Sequence, residues 1–170
     1  MGGGLFLSSR VTPFERPPLL PRAAVRLGFL GLAPLAISAL ITFSNHSETA
    51  HLAGLSFSIY AALLLSFLGG VRCGFELMRD PYAPNALRLF FSAVPTLSGW
   101  ALALFVVVVP GVLGAASIFA GLFAAQAVWD HRSAADAGAP AWYPLLRQVL
   151  TGGAMIICIL IPLATALRRI

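Results

Sequence analysis

The chain has 170 residues, of which 59% are hydrophobic and 10% are charged. A soluble domain carries roughly a quarter charged residues, so this composition excludes a soluble single domain and indicates one helical membrane domain. All eleven basic residues are arginine, and the formal net charge of +5 is spread among apolar segments. This spread argues against a nucleic-acid-binding face and favours a role of the charge in membrane topology.

The N-terminal segment, residues 1–23, is rich in proline and arginine and has no apolar helical period. We predict that it is flexible and that the membrane domain covers 24–170. Arg-rich, Ser-containing starts are typical of mitochondrial presequences, although Glu15 and the prolines weaken that interpretation.

Two apolar runs follow, and they predict spans at about 24–43 and 52–71, separated by a polar turn. The second run ends in LLLSFLGGVRCG at the expected membrane edge. Gly70 and Gly74 are four residues apart, so they share a helix face and predict a groove for another backbone, which Gly69 widens.

Residues 89–129 contain no charge and are twice as long as one span requires. Pro110 and Gly111 divide this run into predicted spans at 89–109 and 111–129, joined by a tight turn. Small residues at spacing four, in two ridges that include Gly121, predict that the fourth helix is central. A last span is predicted at 150–167, with Gly152 and Gly153 as packing positions.

These segments together predict an all-α integral membrane bundle of five transmembrane helices. Nine of the eleven arginines lie on the side of the N-terminus, and only Arg168 and Arg169 lie on the other. Because positive residues are enriched on the inner side, the N-terminus is predicted in the cytoplasm of a bacterial inner membrane. The alternative is the matrix side of the mitochondrial inner membrane.

The predicted spans contain no Asp, Glu, His or Lys. Proton pumps and ion-coupled transporters need ionisable groups at depth, and haem binding needs an axial ligand such as histidine, so these classes are disfavoured. His46, Glu48 and His51 share one loop but lack a regular metal-binding spacing, and a solvated turn is the preferred interpretation. The sequence therefore predicts no catalytic residue, no cofactor and no metal site.

Hydroxyl side chains supply most of the polar content of the predicted spans. They are predicted to form hydrogen bonds within their own helix or to a neighbouring helix rather than to line a substrate path. The residues concerned are Ser56, Ser66, Ser92, Thr96, Ser98 and Thr151.

Five charged residues are predicted to emerge near one membrane surface: Arg72, Glu76, Arg88, Asp130 and Arg147. Arg72 and Glu76 are one helical turn apart and are predicted to pair if the helix continues out of the membrane. Arg72, Glu76 and Arg147 are the candidates for binding an anionic headgroup or an acidic partner segment. An ordinary positive-inside collar is the favoured alternative.

Three stretches resemble a known family: LGFLGLAPLAI (27–37), LSFLGGVRCG (65–74) and WYPLLRQVLT (142–151), together with Trp100. They are similar to DUF3429, an uncharacterised family of small five-helix membrane proteins with bacterial and mitochondrial members. The similarity covers about 26–167, and Cys73 stands where the family pattern has an aromatic, usually Trp. The resemblance implies a multi-pass inner-membrane protein and no assigned activity.

Two functional hypotheses follow. The first is a non-enzymatic scaffold or accessory subunit that packs against other membrane-protein subunits, because the predicted spans carry small-residue seams and the loops are short. The second is a small transporter or an anionic-lipid-binding protein with its site at the inner rim. In both, the surrounding medium is the lipid bilayer, and no nucleic acid is involved.

Overall fold

The computed structural model describes residues 21–108, 112–133 and 140–167, and within these ranges the chain is α-helical with short connections. The all-α class is confirmed. The N-terminal segment 1–20, the Pro110–Gly111 turn and the C-terminal arginines lie outside the described residues. The helices are α1 (Arg22–Ile41), α2 (Ser47–Arg79), α3 (Ala86–Val108), α4 (Val112–Ser133) and α5 (Tyr143–Leu167).

Four of the five helices are longer than the predicted spans, while α1 keeps the predicted length and begins and ends two residues earlier. α2 begins at Ser47 rather than at 52 and α5 at Tyr143 rather than at 150, while Asp130, predicted in a loop, lies in the last turns of α4. Apolar patterning marks only the part of a helix that is buried in hydrocarbon or protein. Backbone hydrogen bonding continues past that limit, and Glu48 in the first turn of α2 complements the positive end of the helix dipole.

The helices form a ring in which each packs against the next along the chain and α5 returns to α1, while α2 and α4 also touch across the middle. The most extensive contacts are within the pairs α2/α3 and α4/α5. The predicted central position of α4 is therefore confirmed, and α2 shares it.

Phe57 of α2 and Phe119 of α4 lie at the centre of the core, both fully buried. Their rings meet edge to face with centroids 6.4 Å apart, an arrangement that aromatic pairs prefer. Of the two small-residue ridges predicted on α4, one faces this core, through buried Ala116 and Ala120. The other, which contains Gly121, is exposed.

The outer surface of the bundle is apolar. Leu27 is 73% exposed, Phe67 66% and Trp100 61%, and soluble monomers rarely expose large contiguous apolar surface. Within the described residues, four helices are long and apolar enough to cross a membrane: α1, α2, α3 and Tyr143–Ala164 of α5. The chain is therefore a membrane protein.

The predicted packing glycines divide into two groups. A Cβ at Gly69 would collide with the backbone carbonyl oxygen of Ser92, and one at Gly153 would lie 3.0 Å from Leu32. The other four glycines have no packing neighbour within the described chain, because successive helical residues point about 100° apart and these face away from neighbouring helices. Their role in helix packing stays a prediction. No described atom lies within 4 Å of a Cβ built at Gly70, Gly74, Gly121 or Gly152.

Gly69→Ala is expected to destabilise the protein by about 1–3 kcal/mol, the usual cost of overpacking. The obstacle is a backbone carbonyl of α3, which cannot rotate away as a side chain could. Thermal unfolding in detergent measures the effect. Gly70→Ala is the matched control, since it adds the same methyl group in open space one residue later, and equal unfolding temperatures for the two variants would contradict the close α2/α3 contact.

Candidate functional site

Three charged side chains from three helices meet at one end of the bundle, and we call Arg72, Asp130 and Arg147 the charged cluster. Arg72 Nε of α2 lies 2.7 Å from Asp130 Oδ1 of α4. Arg147 Nε of α5 donates to the other carboxylate oxygen, Asp130 Oδ2. One carboxylate therefore joins α2 and α5 to α4.

Arg147 is the most buried member of the charged cluster, at 5% exposed. Its Nη1 donates to the Tyr143 hydroxyl at 2.6 Å and its Nη2 to the backbone carbonyl of Leu68 at 2.9 Å. A buried guanidinium requires such pairing because desolvating an unpaired charge is expensive. Arg147 is thus an internal residue of the helix bundle rather than a rim residue open to solvent.

Asp130 lies near the C-terminal end of α4, where the helix dipole disfavours a negative charge. The two guanidinium groups compensate for this position, and Gln126 Nε2 donates a further hydrogen bond to Asp130 Oδ1 at 3.3 Å. Arg72 also lies over the ring of Trp129, 5.2 Å from its centroid. With two cations and one anion, the charged cluster carries one net positive charge.

Glu76 belongs to a separate group, so the predicted Arg72–Glu76 pair is wrong. Glu76 Oε2 lies 3.7 Å from Arg88 Nη1, and Glu76 Oε1 accepts a hydrogen bond from the backbone nitrogen of Asn85 at 3.1 Å. Asn85 Oδ1 in turn accepts from the backbone nitrogen of Arg88, as a helix N-cap does. These contacts fix the connection between α2 and α3 and leave Arg72 to pair with Asp130.

A cleft of about 680 Å³ opens between α1, α2 and α5 beside the charged cluster. Its walls are mostly apolar, and leucine is the commonest residue. Gly31 on α1 and Tyr60 on α2 also line it, and the Tyr60 hydroxyl donates to the Gly31 carbonyl at 2.7 Å. Arg147, Tyr143 and Thr151 also line the cleft.

Five of the six hydroxyl residues singled out in the sequence have a hydrogen-bond partner, as predicted. Thr151 differs: it is 2% exposed, and its Oγ1 finds no partner among the described residues. Four bonds account for these five residues: Ser56 with Ser38 at 3.2 Å, Thr96 with Ser66 at 3.4 Å, Ser92 with the Leu89 carbonyl at 2.6 Å and Ser98 with the Pro95 carbonyl at 3.1 Å.

The structure therefore brings together two of the three candidate binding residues, Arg72 and Arg147, and places Glu76 apart from them. Sequence reasoning did not identify Tyr143 as a partner of Arg147, nor the cleft. The i to i+4 spacing of Tyr143 and Arg147 is a signal for the first. Nothing local in the sequence indicates the cleft, because α5, which forms it with α1 and α2, is distant from them along the chain.

Comparison with known proteins identifies a family for this chain. The family model described as a protein of unknown function, DUF3429, matches residues 20–164. A protein of Xenopus tropicalis named transmembrane protein 69 is 37% identical over 89 residues, which cover 50% of this chain and 34% of that protein. The match thus spans about a third of the relative's length, and no solved structure matches the chain. The chain belongs to the DUF3429 family.

Proposed function

We propose that this protein crosses an inner membrane five times and acts there as a non-enzymatic scaffold or accessory subunit of a membrane complex. In this arrangement α4 is the fifth crossing. Its uncharged part, residues 112–129, extends over about 27 Å, close to the thickness of the hydrocarbon core, about 30 Å. Its packing against α2, α3 and α5 supports a crossing parallel to these helices.

The charged cluster and the Glu76–Arg88 pair lie at the same end of the bundle, which also carries the start of α1. The arginine bias supports placing this end on the cytoplasmic side of a bacterial inner membrane, or on the matrix side in mitochondria.

The scaffold function is supported chiefly by a small-residue face on α2 against which no described part of the chain packs. We call Gly70 and Gly74, with the neighbouring Leu63 and Phe67, the outer seam. Leu63 is 59% and Phe67 66% exposed, and no described atom of the chain fills the space above either glycine. Glycines four apart let a second helix approach closely, and close approach drives helix association in membranes, where apolar burial contributes little.

A headgroup site at the rim has weaker support. Arg72 and Arg147 already bind Asp130, and Glu76 binds the connection before α3. Each candidate rim residue therefore has a partner within the chain. Gly70 and Gly74 of the outer seam have no packing neighbour among the described residues. The geometry therefore favours a transmembrane helix of another subunit as the partner that packs against them.

A photo-reactive residue at Phe67 tests this function in membranes. We expect it to cross-link to another membrane protein of defined mass. A probe at Trp100, equally exposed on α3, is expected to capture lipid. Cross-links from Phe67 only to lipid, or only to a second copy of this chain, would contradict an accessory role in a larger complex.

Gly70→Leu combined with Gly74→Leu is expected to lower the yield of the protein cross-link at Phe67 about tenfold or more. A tenfold loss corresponds to about 1.4 kcal/mol of association free energy. The leucines fill the space that the partner backbone needs, and the fold is retained because leucine favours helix over glycine. Gly121→Leu is the matched control, because it is also exposed with open space around its Cβ but lies on α4. An unchanged cross-link in the double variant would exclude the outer seam as the interface.

A further inference from the structure

We propose that the cleft between α1, α2 and α5 binds one anionic phospholipid, with its phosphate at the Arg147 end and an acyl chain along the leucine-lined walls. This site is distinct from the solvent-facing rim and from Gly70 and Gly74, although Leu63 and Phe67 of the outer seam also line the cleft. It adds a ligand to a protein for which the proposed function requires only a protein partner.

The polar end of the cleft is built from buried groups. Arg147 has five N–H donors, and its hydrogen bonds to Asp130, Tyr143 and the Leu68 carbonyl use three of them. Two donors therefore remain for a ligand at a residue that is 95% buried, since its exposed fraction is 5%. The net positive charge of the charged cluster next to these donors complements a phosphate.

Thr151 supplies the second, independent observation. A buried hydroxyl without a hydrogen bond costs about 1–3 kcal/mol, and Thr151 Oγ1 is such a group among the described residues while it lines the cleft. It lies one helical turn after Arg147 on the same helix. A phosphate or ester oxygen at this end of the cleft would accept a hydrogen bond from the Thr151 hydroxyl.

The apolar part of the cleft fits a hydrocarbon chain. Its volume of about 680 Å³ falls within the 300–1,000 Å³ common for ligand sites, which are also mostly apolar with a few fixed polar groups. Leu27 and Leu30 at its margin are 73% and 71% exposed, so on the proposed placement the cleft opens to the bilayer. The charged end faces the inner leaflet, where anionic lipids are concentrated.

Native mass spectrometry of the protein, delipidated in a neutral detergent, tests the proposal by titration with phosphatidylglycerol and with phosphatidylcholine. We expect one phosphatidylglycerol per chain at concentrations where phosphatidylcholine is not bound. Gly31→Leu should abolish binding, because Gly31 lines the cleft and its Cβ position is open. Gly121→Leu is the control for the same substitution outside the cleft and should bind as the unmodified protein does.

Thr151→Val removes the unpaired hydroxyl without reshaping the cleft and should weaken phosphatidylglycerol binding about tenfold, the loss expected for one hydrogen bond to a charged group. The unfolding temperature should rise with added phosphatidylglycerol in the unmodified protein and less in this variant. If Thr151 had only a structural role, its replacement would leave the phosphatidylglycerol-dependent rise in unfolding temperature unchanged. Arg147 is not used as a test because its loss would unfold the bundle.

Three outcomes would overturn the proposal: no bound phosphatidylglycerol, equal binding of both lipids, or unchanged binding in Gly31→Leu. Circular dichroism and gel filtration confirm that each variant is folded. The Phe67 cross-link to a protein partner is expected to persist in Thr151→Val, so failure of the lipid site and failure of the scaffold function give different results.

Discussion

Asp130→Asn is expected to lower the free energy of unfolding by about 3–5 kcal/mol, the range observed when one partner of a buried ion pair is removed. The carboxylate is the only acidic group in the charged cluster, and without it Arg72 and Arg147 are left facing each other across the junction of three helices. The Arg147 side chain is 4% exposed, so water cannot replace the lost anion. Unfolding of the purified protein in mixed detergent micelles measures the change.

Arg132→Gln is the control for that experiment. Arg132 lies two residues after Asp130 on the same helix and is exposed, and exposed ion pairs contribute little. The free energy of unfolding of this variant should lie within about 0.5 kcal/mol of that of the unmodified protein, as for most surface substitutions. A loss below 1 kcal/mol in Asp130→Asn would mean that the charged cluster does not hold α2, α4 and α5 together.

Phe119→Ala is expected to destabilise by about 3 kcal/mol, the lower end of the range for large-to-small aromatic changes in soluble cores. Phe119 is fully buried against Phe57, so its removal leaves a cavity at the centre of the bundle. The lower end applies because lipid is as apolar as a protein interior, so burying the ring gains little transfer free energy. The expected loss comes mainly from the van der Waals contacts that the ring makes. The same unfolding assay measures this effect.

Phe105→Ala is the matched control for Phe119→Ala. Phe105 is 54% exposed on α3, and lipid or detergent can fill the space that its ring leaves. The control should lose less than about 1 kcal/mol, as exposed positions generally do. Equal losses at the two phenylalanines would contradict the core position of α4.

The architecture could be predicted because long apolar runs are the strongest signal in a membrane sequence. Five transmembrane helices were expected, and the described residues form five helices, of which four are long and apolar enough to cross a membrane. The small residues of α4 correctly indicated its central place. Helix ends were less accessible to prediction. Hydropathy ended the fourth span before Asp130 and began the fifth after Arg147, although both residues are helical.

That error in the ends concealed the site. With Asp130 assigned to a loop and Arg147 placed before the fifth span, the rim was expected to be a positive-inside collar, whereas extending both helices brings the two side chains into the bundle. The sequence alone also cannot show which glycine faces a neighbour: Gly69 and Gly70 are adjacent, yet only Gly69 lies against α3. The missing partner of Thr151 is a property of the tertiary fold and has no local sequence signal.

Cysteine labelling in intact inner-membrane vesicles tests the five-crossing arrangement most directly, with Cys73 and Cys158 first replaced by serine and alanine. Single cysteines at His46 and Val108 report one end of the bundle, and those at Ala83 and Ala141 report the other. We expect a membrane-impermeant reagent to label the first pair from one side of the membrane and the second pair from the opposite side. Labelling of Val108 and Ala141 from the same side would show that α4 does not cross and would contradict the account.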